Sequence, residues 1–164
     1  MIKIIDSFRI APLLMSYLEI EKEIVWTDYG AKGRQAGLQF KALEDPWASA
    51  VGVSKGAELT YTNLNPFFKN TVFEEIINKY NLLRTRLMWI GPMSCYSMHR
   101  DTTPRIHLPL ITNPNCYFVF KKGIIEHLMV GKVYRTNTIE EHTFINCSNQ
   151  SRLHLVGVID SNVI

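Results

Sequence analysis

The chain predicts a mainly β protein, an antiparallel double-sheet barrel or jelly roll with a few N-terminal helices packed outside it. Three observations predict it. Eight short β-rich runs follow one another from residue 83 onward, turn signals separate several of them, and helical periodicity is confined to the first eighty residues.

Taken in order, the first quarter reads as helix and loop. Pro12 suits the first turn of a helix, and Leu13, Leu14, Tyr17 and Leu18 then share one face. The stretch Tyr29-Gly-Ala-Lys-Gly-Arg-Gln-Ala-Gly37 lacks the Gly-Lys-Ser/Thr ending of a phosphate cradle. It reads as a mobile loop, or as a lid that brings Arg34 or Gln35 over a pocket. A second helix opens where Thr71 and Glu74 have capping-box spacing ahead of Val72, Phe73, Ile76, Ile77 and Tyr80, and it should end near Asn81. Strands are then predicted over 83–90, 95–100, 105–111, 116–120, 124–129, 132–136, 142–147 and 153–159. Gly91-Pro92, Asn113-Pro114-Asn115, Lys121-Lys122-Gly123 and Gly131 mark turns between them. No repeat, low-complexity tract or linker interrupts the chain. Residues 1–164 are therefore expected to form a single domain, with a helical and loop part over 1–82 and a β core over about 83–160.

Composition narrows the function. A chain of 164 residues is long enough to bury roughly two-thirds of the surface its unfolded form exposes. A formal charge of +3 with no arginine or lysine run argues against a nucleic-acid partner. Asp6 interrupts the N-terminal apolar stretch and no apolar run is long enough to span a bilayer, so a cytoplasmic protein free of the membrane is expected. Cys95, Cys116 and Cys147 are odd in number and lack metal-ligand spacing, and they read as reduced thiols.

The chemistry concentrates in His99-x-Asp101, followed by His142 and Arg152. Two imidazoles and one carboxylate can occupy one face of an octahedral iron(II) and leave the opposite face for a chelating co-substrate and dioxygen. Arginine, planar and always charged, suits the far carboxylate of a dicarboxylic acid. A His-x-Asp/Glu triplet alone arises by chance roughly once in two or three such chains, so the composite carries the argument. Its other members are Arg105-Ile-His107-Leu-Pro-Leu and His142-x-x-x-Asn146-x-Ser148-x-x-x-Arg152-Leu-His154-Leu. Residues two apart on a strand share a face, which joins His99 with Asp101, Arg105 with His107, and Arg152 with His154. A hairpin through residues 148–150 would pair Asn146 with Arg152, about 13 Å along one sheet from His142. Trp89, in the apolar run Leu87-Met-Trp-Ile90, reads equally as barrel filling or as a pocket wall beside the co-substrate. His127 and His154 have no partner at ligand spacing and are left out of the metal set.

At these residues the sequence resembles the aspartyl/asparaginyl β-hydroxylase family of iron(II)- and 2-oxoglutarate-dependent oxygenases. The likeness is clearest over 98–157, in His99-Arg-Asp101, Arg105-Ile-His-Leu-Pro-Leu110, Gly131-Lys-Val-Tyr134 and the His142 to Leu155 segment. The resemblance implies a double-stranded β-helix of the cupin kind. It implies His99, Asp101 and His142 as iron ligands and as the catalytic set. It also implies that Arg152 holds the C5 carboxylate of 2-oxoglutarate, that His107 lies beside the co-substrate's other end, and that Arg105 meets co-substrate or substrate. The implied reaction consumes dioxygen, converts 2-oxoglutarate to succinate and hydroxylates an amino-acid-type substrate: an Asp, Asn or Pro side chain in a peptide, or a free small molecule. Two positions depart from the family's pattern, Asn137 where aspartate is usual and Glu141 where proline often precedes the distal histidine. The alternative from another class is a non-catalytic cupin-like module that binds a metal or a small ligand.

Overall fold

In the computed structural model, which describes residues 1–30, 32–48 and 56–159, the first half of the chain contributes strands as well as helices. They are β1 (Ile2–Ser7), α1 (Ile10–Ile20), β2 (Thr27–Gly30), β3 (Gly33–Gly37), β4 (Gln39–Phe40), β5 (Asn63–Leu64) and α2 (Val72–Lys79). The second half holds β6 (Leu83–Ile90), β7 (Ser94–Cys95), β8 (Arg105–Ile111), β9 (Cys116–Phe120), β10 (Ile125–Glu126), β11 (Lys132–Thr136), β12 (His142–Asn146) and β13 (Arg152–Val158).

A seven-stranded sheet in the order β1-β11-β8-β13-β6-β3-β2 faces a four-stranded sheet in the order β10-β9-β12-β7. Every described pairing is antiparallel, as a jelly roll requires. Alternation within the strands decides the layering. On β8 and β13, Ile106, Leu108, Leu110, Leu153 and Leu155 turn outward into a core shared with Leu13 and Tyr17 of α1 and Phe73, Ile76 and Ile77 of α2. Both strands are thus buried on both faces. Arg105, His107, Arg152 and His154 occupy the alternate positions and point between the sheets. A smaller core of Ile90, Cys116, Phe118, Phe120, Leu128, Tyr134 and Phe144 fills part of that space.

The structure corrects several expectations. The part over 1–82 is not only helix and loop: β1 extends the large sheet beyond β11, and β2 and β3 extend it beyond β6. The glycine-bearing stretch forms the β2–β3 hairpin around position 31, which lies outside the described residues. The predicted strand over 95–100 shrinks to Ser94–Cys95 with one isolated bridge between His99 and His142, and that over 124–129 shrinks to Ile125–Glu126. The expected β12–β13 hairpin is absent: β12 pairs with β9 and β7, β13 with β6 and β8, in opposite sheets. Thr71 does stand at the N-cap of α2, but its hydroxyl donates to the Phe68 carbonyl, and Glu74 accepts from the Asn70 N–H, so no reciprocal capping box forms. No described helix is long and apolar enough to cross a membrane.

Candidate metal centre

The segment carrying His99 and Asp101 is irregular, yet backbone hydrogen bonds hold it in place. His99 and His142 exchange N–H to C=O bonds, each 2.9 Å, and the Asp101 N–H donates to the Thr138 carbonyl at 2.9 Å. One donor atom from each of His99, Asp101 and His142 then lies within 4.8 Å of the others. Both imidazoles are oriented by backbone carbonyls: Nδ1 of His99 lies 2.8 Å from the Ser97 oxygen and Nδ1 of His142 lies 2.8 Å from the Glu140 oxygen. A carbonyl only accepts, so Nδ1 carries the proton in each ring and Nε2 presents a lone pair. Nε2 of His142 lies 4.0 Å from Oδ2 of Asp101. Burial lowers the His142 pKa, with the Glu140 carbonyl opposing it, and this favours the neutral ring that ligates. The donor set therefore fits a divalent transition metal: two nitrogens, one anionic oxygen, and an orienting partner behind each histidine. His99 is exposed, Asp101 intermediate and His142 buried, so the centre sits at the mouth of the barrel.

Behind it lies a cavity of about 340 Å³, at the small end for ligand pockets. Its lining includes Arg105, His107, His142 and Arg152 together with His99 and Asp101. Phe118 stacks on His142 at 5.1 Å and meets His107 edge-on at 5.5 Å, giving that wall an apolar face. His107 is buried, and burial, followed by the charges of Arg152, His142 and Arg105, holds its imidazole well below the usual value. Arg152 stands at the far end, its Cζ 3.4 Å above the Phe144 ring. Its Nε and Nη1 are buried without a hydrogen-bond partner among the described residues. Burial draws its pKa down to about 10, so it remains a cation at neutral pH.

Two predicted site residues change role. Trp89 is not in the cavity lining; its strand neighbour Met88 is. Alternation along β6 turns Trp89 outward, where it packs against the helix-bearing core and lies 5.8 Å beneath the Arg34 guanidinium. Arg105 lines the cavity but is already committed. Its Nη2 donates to Glu58 at 2.8 Å, its Nη1 to Thr103 and Glu58, and its Nε lies 3.3 Å from Asp101. It fastens the carboxylate of the donor set and has little left for a substrate.

Glu58 is the residue that sequence reasoning missed most completely. It sits in a 3-10 turn, Ala57–Thr60, and gathers Arg84, Thr102, Thr103 and Arg105. Burial opposes its charge, but Arg105 and the two threonine hydroxyls outweigh that and lower its pKa to about 2. Nothing local marks it: its partners lie 26 to 47 residues away. Arg84 and Arg86, also missed, did leave a signal, since two arginines at alternate positions flank Thr85 ahead of the apolar run Leu87-Met-Trp-Ile90. A bulge at this end of β6 opposes Leu83 to Val158 and Arg86 to Val156, and Arg84 there adopts a positive φ of 45°. Gly157 packs closely beside it, since a Cβ there would lie 2.8 Å from Leu82 Cδ1 and 3.1 Å from Thr85 Oγ1 and would make both side chains shift. Asn137 bonds Glu140 at 3.0 Å, in the turn whose carbonyl orients His142, and Glu141 pairs with Lys121 on the surface. His127 and His154 both lie outside the donor set.

A family model described as Aspartyl/Asparaginyl beta-hydroxylase matches residues 21–160. A search of curated protein sequences found no match. Among solved structures, an oxidoreductase of the 2OG-Fe(II) oxygenase family from Burkholderia pseudomallei is similar at 12% identity and a TM-score of 0.68, covering 96% of this chain and 82% of its own. An RmlC-like cupin from Shewanella frigidimarina is 8% identical with a TM-score of 0.46, covering 87% of this chain and 91% of its own. At this identity the first of these speaks for the fold alone.

Proposed function

The chain belongs to the aspartyl/asparaginyl beta-hydroxylase family, and from that premise we propose that it is an iron(II)- and 2-oxoglutarate-dependent dioxygenase that hydroxylates an amino-acid-type substrate. One observation carries the reading: a His-Asp-His donor set opens onto a cavity whose far end holds a buried arginine with two nitrogens that have no partner among the described residues. A structural metal alone leaves that arginine without a purpose, because a buried cation lacking an anion is costly.

His99, Asp101 and His142 would hold the iron. Bound there, iron(II) supplies the redox chemistry by which dioxygen and 2-oxoglutarate oxidise a substrate C–H to C–OH, releasing succinate and carbon dioxide. Arg105, braced by Glu58, keeps Asp101 turned toward the two imidazoles. Arg152 binds the remote carboxylate of 2-oxoglutarate, supplying the unused Nε and Nη1 donors to it. His107, neutral at working pH, stands beside the inner end of the co-substrate as a hydrogen-bonding group without charge. Phe118 and Phe144 exclude water from the space between the metal and Arg152. Substrate enters past the exposed His99, and the position of its C–H bond in the cavity selects the carbon that reacts.

The test is anaerobic addition of iron(II) and 2-oxoglutarate to the purified chain. A visible iron-to-ketoacid charge-transfer band that saturates at one equivalent of each is the expected result, followed by succinate release on admitting oxygen with a reactive amino acid or peptide. Failure to form the band would leave the binding-module alternative standing instead.

A further inference from the structure

Like Arg152, Arg86 is a buried guanidinium in the cavity with no acidic partner at ion-pair distance among the described residues. It projects from β6 into the lining, is only 8% exposed, and among the described residues bonds solely to Gln35 Oε1, at 2.9 Å from its Nη1. Its Nε is buried with no partner. Gln35 is itself buried, and its neutral oxygen gives Arg86 a hydrogen bond but no ion pair, while Asp101 and Glu58 act on it only from a distance.

The register separates Arg86 from Arg152. Across the large sheet Arg86 stands opposite Val156, which stands opposite His107, whereas Arg152 stands opposite Ile90. The two guanidinium-bearing positions are thus four residues apart along the wall, about 13 Å. Arg86 belongs to the His107 level near the donor set, and Arg152 to the far end. A five-carbon dicarboxylate held at Arg152 by one carboxylate and at the metal by the other reaches the His107 level with both carboxylates already engaged, which leaves Arg86 free for a second anion.

Charge counting agrees. Four arginines, Arg84, Arg86, Arg105 and Arg152, line the cavity. Asp101 and Glu58 compensate Arg105 and Arg84. A divalent metal and a dianionic co-substrate cancel each other, so the loaded cavity still has more positive than negative charge in a water-poor space. That excess favours an anionic second ligand.

We propose that Arg86, oriented by Gln35, is a substrate-specificity residue that receives a carboxylate on the part of the substrate entering the cavity, and so selects acids over the matching amides. This rests on the oxygenase reading, but its test does not depend on turnover. The probes are L-aspartate, L-glutamate, L-proline and N-acetyl-aspartate, each beside its carboxamide. The readouts are calorimetric affinity and the nitrogen-15 signal of the Arg86 Nε–H, assigned by its loss in Arg86→Met. In the full chain with zinc(II) as a redox-silent metal, 2-oxoglutarate should shift the Arg152 signal, and an acid probe should then shift that of Arg86.

Wild-type protein should prefer at least one acid to its amide by about 10- to 100-fold, the worth of charge-assisted hydrogen bonds to a carboxylate. Arg86→Met should erase that preference, leave 2-oxoglutarate affinity unchanged, and hold or raise the melting temperature of the ligand-free chain. A purely structural arginine would instead lower it. The proposal is overturned if no acid is preferred, if Arg86→Met keeps the preference, or if 2-oxoglutarate alone moves the Arg86 signal and weakens with Arg86→Met. Failure of the oxygenase reading shows separately, as absent metal or 2-oxoglutarate binding in the wild type. The acid probes are then read against the metal-free chain by the same criteria.

Discussion

Arg152→Met separates a binding arginine from a structural one, because the two roles predict opposite signs. In the ligand-free chain Arg152 contributes a cation–π contact with Phe144 at 3.4 Å, about 0.5–2 kcal/mol. Against that stands a guanidinium buried with two unpartnered nitrogens, and burying an ion costs several kcal/mol even after relaxation. Methionine fills similar space and makes its own favourable contact with the ring. The ligand-free melting temperature should therefore hold or rise. Binding should move the other way: truncating one partner of a buried, hydrogen-bonded charge pair costs about 2–5 kcal/mol. That corresponds to a roughly 30-fold to several-thousand-fold weaker hold on 2-oxoglutarate. An anaerobic titration of the iron(II) protein with 2-oxoglutarate, followed by the charge-transfer band, reads the affinity, and thermal unfolding reads the stability. An unchanged midpoint in the titration, or a large fall in melting temperature with no change in affinity, would refute the assignment.

Other perturbations reach different parts of the site. Asp101→Ala and His142→Ala should each weaken iron(II) binding by more than about 100-fold, the upper range for losing a mere orienting partner. Retained one-to-one metal binding by equilibrium dialysis in either variant counts against the donor set. Glu58→Gln removes the carboxylate that Arg105 and Arg84 share but leaves Asp101 beside Arg105, so chemical denaturation should show a loss of about 3 kcal/mol, the low end for a broken buried ion pair. A neutral outcome would mean that Glu58 does not anchor the cluster. Stability should also fall in acid. Burial holds the His107 and His154 imidazoles well below their ordinary value, so below about pH 6.5 the unfolded chain binds protons that the folded chain refuses. Each such histidine contributes up to about 1.4 kcal/mol of loss per pH unit below that point. His154→Leu should flatten the slope of denaturant midpoint against pH, and an unaltered slope would remove His154 from the account.

Local chemistry made much of this protein readable from its residues. The strands Leu83–Ile90, Arg105–Ile111, Cys116–Phe120 and Lys132–Thr136 coincide with runs visible in the chain, since turn residues separate several of them and apolar residues recur within them. The composite of His99, Asp101, His142 and Arg152 was also visible as a set of residue types, and the structure gathers all four around one cavity. Strand parity put His107 and Arg105 on one face, and both line that cavity.

What tertiary structure decided was pairing, and with it the neighbours of each charge. Strands β1 and β3 are held by hydrogen bonds to β11 and β6, far away in the chain, and β2 is held by β3, pairings that no local pattern announces. Arg152 faces His142 from the opposite sheet instead of lying along the same one, because each strand takes the partners that bury it best. Trp89 went outward and Met88 inward through the parity of β6. Glu58 engages the Arg105 guanidinium, while among the described residues Arg86 hydrogen-bonds only Gln35. Residue type sets what a side chain can do; the long-range packing around it sets which of its bonds remain free for a ligand.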